Sequence, residues 1–312
     1  MKLTKQKNYL KKNRIKFFDF ESEVYSNEKK RHLKNIAYPN GKFQILPIDQ
    51  GLEHGPSDFL ENPPCQDPEY QLELAKEVGF SGIALQIGLA EKYWQKSKYK
   101  KYVPLILKLN GRTCIPAGQV APFSSLNARV EDAVKLGADA VGYTLYVGSR
   151  RQDEDFIQFR EVRRKAAKYD LPVIVWAYPR GEVIDANGGK NSLAAVDYAV
   201  RTAMELGADI VKFNWPTYPD EPYDDAGCFK VYNNLPKLSE KEMLVKVLQS
   251  AGEMGTLLSG GGRVSDKQVL DNIKLAMEVG MDGIIFGRNV WQREYEQAVK
   301  ISQSIKKILL NS

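Results

Sequence analysis

The residues Gly207-Ala208-Asp209-Ile210-Val211-Lys212-Phe213-Asn214 predict the end of a helix followed by a short buried strand. The mostly apolar run from Asp209 to Phe213 is typical of strands that are covered on both faces, as in parallel sheets. Lys212 lies near the end of this strand, where desolvation disfavours its ammonium form. A lysine with a lowered pKa can act as an amine nucleophile and form a Schiff base with a carbonyl. The alternative is a lysine that extends to the sheet rim and pairs with an acid.

The same phrase recurs elsewhere in the chain. Leu136-Gly137-Ala138-Asp139 and Val279-Gly280-Met281-Asp282 repeat the order of helix end, glycine, one residue and aspartate, and Val78-Gly79-Phe80-Ser81 is a looser copy. We expect each glycine to end its helix in a left-handed turn and to deliver the chain into the next buried strand.

Strands and helices are predicted to alternate along the chain. The predicted strands are 43–49, 81–87, 104–109, 139–146, 172–178, 209–214, 255–258 and 282–286. The predicted helices are 27–35, 67–78, 127–136, 153–169, 192–206 with Ser192 as candidate N-cap, 240–249, 265–279 and 292–309. Eight such units predict an α/β fold, a (β/α)8 TIM barrel with an N-terminal extension. A doubly wound open sheet is the rival, but Asp49-Gln50-Gly51 lacks the Gly-x-Gly-x-x-Gly turn common in that fold.

Composition is that of a globular protein. The 312 residues are 43% hydrophobic and 27% charged, enough for one barrel with extensions. We predict a basic N-terminal arm at 1–40 and a catalytic barrel at 41–312. Seven basic residues between Lys2 and Lys16 precede the first acid, Asp19. Such an arm could touch nucleic acid or a membrane, but we favour a solvated or subunit-contacting arm and predict no nucleic-acid or membrane partner.

Several function classes are disfavoured. No signal peptide and no apolar run of about 18 residues are found. Cys65, Cys114 and Cys228 are far apart, which favours a reducing cytoplasm and gives no metal-ligand spacing. His32 and His54 are the two histidines of the chain, too few for a histidine-rich zinc site. We therefore predict a cytoplasmic protein with neither metal nor cofactor.

The barrel prediction locates the chemistry, because active sites of this fold lie at the C-terminal ends of the strands. Polar and aromatic residues occur at those ends in the predicted strands: Asp49, Glu53, His54, Lys108, Asn110, Tyr143, Tyr146, Trp176, Tyr178, Arg180, Lys212 and Asn214.

The last two strands end in glycine-rich turns. Ser259-Gly260-Gly261 follows the seventh strand and Gly287-Arg288 follows the eighth. Glycine-rich turns with a following helix N-terminus bind anions, and barrels often use these two loops for phosphate. We therefore predict a phosphate site; the alternative is that both are plain turns.

Seven motifs follow one another along residues 43–293: Ile48-Asp49-Gln50-Gly51-Leu52-Glu53-His54-Gly55-Pro56, Leu105-Ile106-Leu107-Lys108-Leu109-Asn110, Val141-Gly142-Tyr143-Thr144-Leu145-Tyr146-Val147-Gly148-Ser149, Val175-Trp176-Ala177-Tyr178-Pro179-Arg180-Gly181, Ile210-Val211-Lys212, Ser259-Gly260-Gly261 and Gly287-Arg288-Asn289. Together they resemble the class I, Schiff-base-forming fructose-bisphosphate aldolases of the archaeal type, a family with bacterial members. The resemblance implies a (β/α)8 fold, a homo-oligomer without metal, a Schiff-base lysine at Lys212, a catalytic tyrosine at Tyr178 and an acidic partner at Asp49.

Two departures from the family border the predicted site. Phe213-Asn214-Trp215-Pro216 follows Lys212, where some bacterial relatives carry a second lysine. The loop at 217–238 is long and rich in tyrosine. Substrate range is therefore less constrained than reaction type.

The expected reaction begins with attack of Lys212 on the ketone of a phosphorylated ketose. Tyr178 is the candidate for proton transfer, with its pKa lowered by the nearby imine or lysine cation; the alternative is a core tyrosine. Asp49 would hold the lysine and balance its charge, or else cap its loop. Trp176 either walls the site or packs in the core, and Lys108 either contacts substrate hydroxyls or forms a structural ion pair.

Two other functions stay open on the sequence alone. One is a related Schiff-base lyase or transferase acting on another phosphorylated ketose. The other is a non-catalytic protein that binds phosphosugars, or nucleic acid through the basic arm. Covalent capture of substrate by borohydride separates the enzymes from the binders.

Overall fold

The computed structural model describes residues 25–115, 121–224 and 228–312, and its centre is a closed barrel of eight parallel strands. The strands are β1 (Phe43–Ile48), β2 (Gly82–Gln86), β3 (Leu105–Lys108), β4 (Ala140–Val147), β5 (Val173–Pro179), β6 (Ile210–Phe213), β7 (Gly255–Ser259) and β8 (Gly283–Ile285). Consecutive strands pair, and β8 closes on β1 with Phe43 opposite Gly283. The predicted fold is confirmed, with strand ends displaced by at most one residue.

Helices cover the barrel. They are α1 (Asn27–Asn35), α2 (Pro68–Val78), α3 (Val130–Leu136), α4 (Gln152–Lys168), α5 (Leu193–Glu205), α6 (Glu240–Ala251), α7 (Asp266–Glu278) and α8 (Tyr295–Leu310). Short helical turns occupy Gln50–Glu53, Pro56–Phe59, Pro63–Gln66, Ile87–Leu89, Glu182–Ala186, Lys230–Asn234 and Arg288–Trp291, and Asn110–Gly111 pairs with Ser125–Leu126 in a small antiparallel ribbon. No helix of these described ranges is both long and apolar enough to cross a membrane.

Two details differ from the sequence prediction. The β2–β3 connection, left without a helix, contains a π-helical turn at Ala90–Trp94, anchored where the Trp94 indole N–H donates to the Val103 carbonyl at 2.9 Å. Ser192 occupies the N-cap position of α5, but its side chain makes no capping hydrogen bond.

The repeated glycine–aspartate phrase joins the elements as predicted. Gly137, Gly207 and Gly280 have φ of 74°, 87° and 90°, the left-handed region that favours glycine. The aspartates have a role that the sequence did not indicate. Oδ2 of Asp209 accepts the Val173 N–H at 2.8 Å, and Asp282 accepts the Thr256 N–H at 2.8 Å, so each carboxylate ties its strand to the preceding one.

Helix α1 lies at the N-terminal end of the barrel. Its Leu33 and Ile36 join the inner apolar cluster of the strands. Lys29 pairs with Asp209 at 3.0 Å, and Asn35 donates to Asp139 at 2.8 Å. The basic residues between Lys2 and Lys16 lie outside the described residues, so the division at residue 40 and the role of the arm stay predictions.

Apolar side chains fill the barrel below the site. The inner cluster consists of Phe43, Ile45, Ala84, Ile106, Ala140, Ile174, Trp176, Ile210, Leu257 and Ile285, with the α1 residues beneath. Gly142 makes room for the Trp176 ring, because a Cβ there would lie 2.7 Å from the indole and 3.1 Å from the Lys108 side chain. The lysines of β3 and β6 therefore lie above a filled core.

Candidate active site

Lys212 is the centre of the site. It is the third residue of β6, only 4% exposed. Trp176 lies opposite it in the β5–β6 register, and Tyr178, two residues further along β5, shares that face. Lys212 Nζ donates a hydrogen bond to the Tyr178 hydroxyl at 2.7 Å. The two predicted catalytic residues are therefore in direct contact.

The surroundings of Lys212 favour its neutral amine. Burial lowers the pKa of Lys212 to about 8, the attraction of Asp49 and Glu53 opposes that shift, and the positive charges of Lys108 and Arg288 add to it. At neutral pH a larger fraction of the side chains is then free amine than for an exposed lysine. This is the state that attacks a carbonyl.

Lys108 has the opposite character. Its side chain is fully buried, with Nζ at 2.8 Å from Glu53 Oε1 and 3.4 Å from Asp49 Oδ2. Burial lowers the pKa of Lys108, but Glu53 and Asp49 outweigh burial and raise it above its ordinary value. Lys108 therefore stays an ammonium ion. The Trp176 ring centroid lies 4.9 Å from Lys108 Nζ and 5.4 Å from Lys212 Nζ, so both lysines contact the same indole.

The protonation states of Asp49 and Tyr178 depend on these charged neighbours. Asp49 is buried, and although burial opposes ionisation, Lys108 and Lys212 lower its pKa. For Tyr178 the sequence prediction of a lowered pKa is wrong in the free enzyme. Burial, Glu53 and Asp49 raise its pKa, and Lys108 and Arg180 do not offset them. Tyr178 is therefore a neutral phenol that can donate a proton.

The two glycine-rich turns are adjacent. The Asn289 amide donates to the Gly260 and Gly262 carbonyls at 2.7 and 2.9 Å, and its oxygen accepts the Val264 N–H at 2.9 Å. Gly260 permits this approach, because a Cβ there would lie 3.0 Å from the Phe286 ring. Gly287 precedes the short helix Arg288–Trp291. One asparagine therefore fixes the β7 loop against the β8 loop.

The remaining predicted strand-end residues divide into two groups. Tyr146 faces Tyr178 in the β4–β5 register, and the Arg180 guanidinium lies 5.1 Å from the Tyr178 ring. Other residues point away: Tyr143 packs outward against Phe159 of α4, His54 contacts Asp58 at 2.8 Å, and Asn214 donates to Asn191.

Two residues of the site were named by sequence reasoning but given no role. Glu53, predicted beyond the end of the first strand, is the closer partner of Lys108, and Asn289, part of the Gly287-Arg288-Asn289 motif, holds the glycine loops together. Glu53 follows Asp49 by four residues across the helical turn Gln50–Glu53, a spacing that brings two carboxylates to one face. That spacing was the available signal for the role of Glu53; no signal in the sequence indicated the bridging role of Asn289.

Within residues 25–115, 121–224 and 228–312, no group of three or more His, Cys, Asp or Glu side chains is arranged to hold a metal ion. The cations Lys108 and Arg288 both act on Lys212 and help to lower its pKa.

The family model of the DeoC/LacD family aldolases matches residues 43–293. The chain belongs to the DeoC/LacD aldolase family. It is 40% identical over 271 residues to the class 1 fructose-bisphosphate aldolase of Thermoproteus tenax, covering 86% of this chain and 90% of that protein. It is 38% identical to the Halobacterium salinarum protein of the same description, covering 83% and 88%.

Solved structures place this aldolase beside archaeal enzymes. An archaeal fructose-1,6-bisphosphate aldolase, with its catalytic lysine covalently bound to the carbinolamine intermediate of the substrate, superposes with a TM-score of 0.75 at 37% identity, covering 91% of this chain and 99% of that one. A second archaeal aldolase structure gives 0.76 at 38% identity, covering 92% and 100%.

Proposed function

We propose that the chain is a class I fructose-bisphosphate aldolase, which reversibly cleaves fructose 1,6-bisphosphate to dihydroxyacetone phosphate and glyceraldehyde 3-phosphate through a Schiff base on Lys212. The observation that carries the proposal is the contact of a buried lysine of lowered pKa with the Tyr178 phenol at 2.7 Å. The relatives described as class 1 fructose-bisphosphate aldolases support it.

Covalent capture begins at the substrate ketone. The neutral Lys212 amine attacks C2 and forms a carbinolamine, which loses its hydroxyl as water and becomes a protonated imine. The Tyr178 phenol donates the proton that converts the departing hydroxyl into water. The phenolate left behind is stabilised by the new cation, since a positive charge within hydrogen-bond distance lowers a phenol pKa.

Tyr178 acts again in the cleavage step, now as the base. The proton taken here is a different one from that lost with water: the Tyr178 phenolate takes the proton of the C4 hydroxyl, the C3–C4 electron pair moves into the imine, and the aldehyde leaves. Tyr178 then protonates C3 of the enamine, and water releases the second product from Lys212. The protonated imine serves as the electron sink throughout.

The other residues bind and balance charge. Asp49 compensates the cation on Lys212, and Lys108, held by Glu53, is available to substrate hydroxyls beside the Trp176 wall. We assign phosphate binding to Ser259, Gly260, Gly261, Gly287 and Arg288, supported by the Asn289 bridge between the two loops.

The cellular setting belongs to the proposal as well. We propose a cytoplasmic homo-oligomer that acts in glycolysis and gluconeogenesis without metal, cofactor, nucleic-acid or membrane partner. The family resemblance, the cysteine usage and the modest net charge of +6 support it.

A second candidate substrate is favoured by one relative. A Methanocaldococcus jannaschii protein, 28% identical over 300 residues and covering 92% of this chain and 88% of its own length, is described as a fructose-bisphosphate aldolase/6-deoxy-5-ketofructose 1-phosphate synthase. Steady-state cleavage of a panel of phosphorylated ketoses tests the choice. Fructose 1,6-bisphosphate should give the highest kcat/KM; a higher value for another ketose phosphate would favour the related lyase.

A further inference from the structure

A buried carboxylate lies at the start of α4, behind the site. Asp153, Glu154 and Asp155 follow one another in the first turn; the first two are exposed and Asp155 is fully buried. Arg151, whose charge acts on Asp155, forms its own ion pair with Glu154. Ionised carboxylates are costly to bury without a paired cation, so the placement of Asp155 calls for a role that a neutral side chain would not fill.

Asp155 binds two residues of β4. Its Oδ1 accepts the Tyr143 hydroxyl at 2.5 Å, and its Oδ2 accepts the backbone N–H of Tyr146 at 2.9 Å. The Tyr143 hydroxyl also accepts from Gln158, whose amide donates to the Ser124 carbonyl at 2.9 Å. The carboxylate thereby joins α4, the end of β4 and the segment before α3.

The hydrogen bond from the Tyr146 N–H to Asp155 takes the place of one that a neighbouring strand would make. β3 pairs with β4 only as far as Lys108 opposite Gly142, and the Leu109 N–H still reaches the Gly142 carbonyl. Beyond that point the edge of β4 is completed by side chains: Asn110 accepts the Thr144 N–H at 2.7 Å, and Asp155 accepts the Tyr146 N–H. A backbone carbonyl would accept the same hydrogen bond at every pH, whereas a carboxylate loses its charge when it is protonated.

The end of β4 carries Tyr146 into the site. Tyr146 stands opposite Tyr178, and its ring centroid is 6.0 Å from the Arg112 guanidinium. Burial raises the pKa of its hydroxyl, Glu53 adds to the rise, and Lys108 and Arg180 oppose it. Tyr146 therefore shares its electrostatic surroundings with Tyr178.

We propose that Asp155 is a positioning residue for the cleavage reaction: its carboxylate stands in for the missing strand neighbour and holds the end of β4, with the Tyr146 ring, in place beside Tyr178. The proposal rests on the aldolase function proposed above. It also makes the site respond to pH, since the acceptor that holds the strand is titratable.

The direction of that response follows from the surroundings. Burial raises the pKa of Asp155 to about 6, while the hydrogen bonds from Tyr143 and Tyr146 and the charge of Arg151 oppose the rise. These are the titratable and charged groups on β4 and α4 that act on it. Protonation converts a charged acceptor into a neutral one and weakens its hold on the Tyr146 N–H.

Protonation of Asp155 would not lower activity by unfolding the protein. A carboxyl whose folded pKa lies above its unfolded value binds protons more readily when folded, so protonation of Asp155 stabilises the fold as pH falls through 6. A loss of activity in that window therefore reports the site rather than global stability.

The test compares pH profiles of kcat/KM for wild type, Asp155→Asn and Asp153→Asn with fructose 1,6-bisphosphate. Asparagine imitates the protonated carboxyl, so Asp155→Asn should lose on the order of tenfold at pH 7.5, and its profile should meet that of wild type below about pH 5. Asp153→Asn, two residues earlier in the same helical turn and exposed, should match wild type throughout. A constant ratio between Asp155→Asn and wild type at every pH, or no difference at all, overturns the proposal.

A second variant serves if Asp155→Asn does not fold. Tyr143→Phe removes the side-chain hydrogen bond that lowers the pKa of Asp155, so the inflection near pH 6 should move to higher pH. An unmoved inflection overturns the proposal. Borohydride trapping on wild type keeps the two proposals separate: no adduct on Lys212 refutes the aldolase function, whereas a normal adduct with an unmoved inflection refutes only the role of Asp155.

Discussion

Two lysines flank the same tryptophan in the barrel, and their surroundings give them opposite chemistry. Lys108 Nζ lies 2.8 Å from Glu53 and stays charged, whereas Lys212 Nζ lies 2.7 Å from the Tyr178 phenol and its pKa is lowered to about 8. Both side chains are almost fully buried. Burial alone therefore does not produce a nucleophile; a carboxylate within contact distance is enough to cancel its effect.

The largest effect is expected where the nucleophile is removed. Lys212→Met should lower kcat by on the order of a thousand-fold or more, because in the described part of the chain no other amine of lowered pKa contacts Tyr178. Lys108→Met should weaken activity without removing covalent capture. Steady-state cleavage of fructose 1,6-bisphosphate measures both. Near wild-type turnover in Lys212→Met would refute the Schiff-base assignment.

Lys212→Met should also be more stable than the wild-type protein. The pKa of Lys212 falls from 10.5 to about 8 on folding, so the folded state binds fewer protons than the unfolded chain between those values. Stability therefore rises with pH across that window, and below pH 8 the buried cation costs up to about 3 kcal/mol. Chemical denaturation at pH 7 should show that Lys212→Met is more stable than wild type. Above pH 10 the difference in the free energy of unfolding should be smaller.

Removal of the proton-transfer group should have the next largest effect. Tyr178→Phe keeps the ring and deletes the hydroxyl, so we expect turnover to fall on the order of a hundred- to ten-thousand-fold while borohydride still traps substrate on Lys212. Tyr143→Phe and Tyr146→Phe are the comparison variants; both alter the end of β4 that Asp155 holds, so each should lose some activity, but less than Tyr178→Phe. Wild-type turnover in the Tyr178 variant, with a large loss at Tyr143 or Tyr146 instead, would move the role to β4.

A smaller effect should follow when the partner of Lys108 is neutralised. Glu53→Gln leaves Lys108 with Asp49 alone, and we expect a loss in kcat/KM of about tenfold. Glu53 also raises the pKa of Lys212, so the decline of kcat/KM below pH 8 should shift to lower pH. Glu205→Gln is the control, since Glu205 is exposed and pairs with Arg201 on α5. An unshifted profile would show that Glu53 does not act on Lys212.

The smallest effect concerns metal. The imine on Lys212 provides the electron sink, so treatment with EDTA should leave cleavage unchanged. The assay is a dialysed enzyme with and without chelator, followed by added zinc. Loss of activity restored by zinc would assign the chain to metal-dependent chemistry.

The fold was accessible from the sequence because each βα unit carries its own local signals. The glycines at 137, 207 and 280 adopt the expected left-handed turns, and the buried strands lie within one residue of their predicted limits. The π-helical turn Ala90–Trp94 was not predicted, because the contact that anchors it, from Trp94 to Val103, depends on the finished barrel.

The site was accessible in part. Lys212, Tyr178, Asp49, Lys108 and Trp176 meet as the strand-end rule requires. The predicted direction of the Tyr178 pKa shift was wrong. That direction depends on how far Glu53 and Asp49 offset Lys108 and Arg180 in a buried space, and the spacing of residues along a strand does not give the distances between these groups. The Asn289 bridge joins loops 29 residues apart and left no local pattern.

Borohydride reduction of the wild-type protein with fructose 1,6-bisphosphate, followed by peptide mass spectrometry, tests the central contrast most directly. The account predicts one reduced adduct, on the peptide that carries Lys212, with Lys108 unmodified because its carboxylate partners keep it protonated. An adduct on Lys108, or no adduct on either lysine, would contradict it.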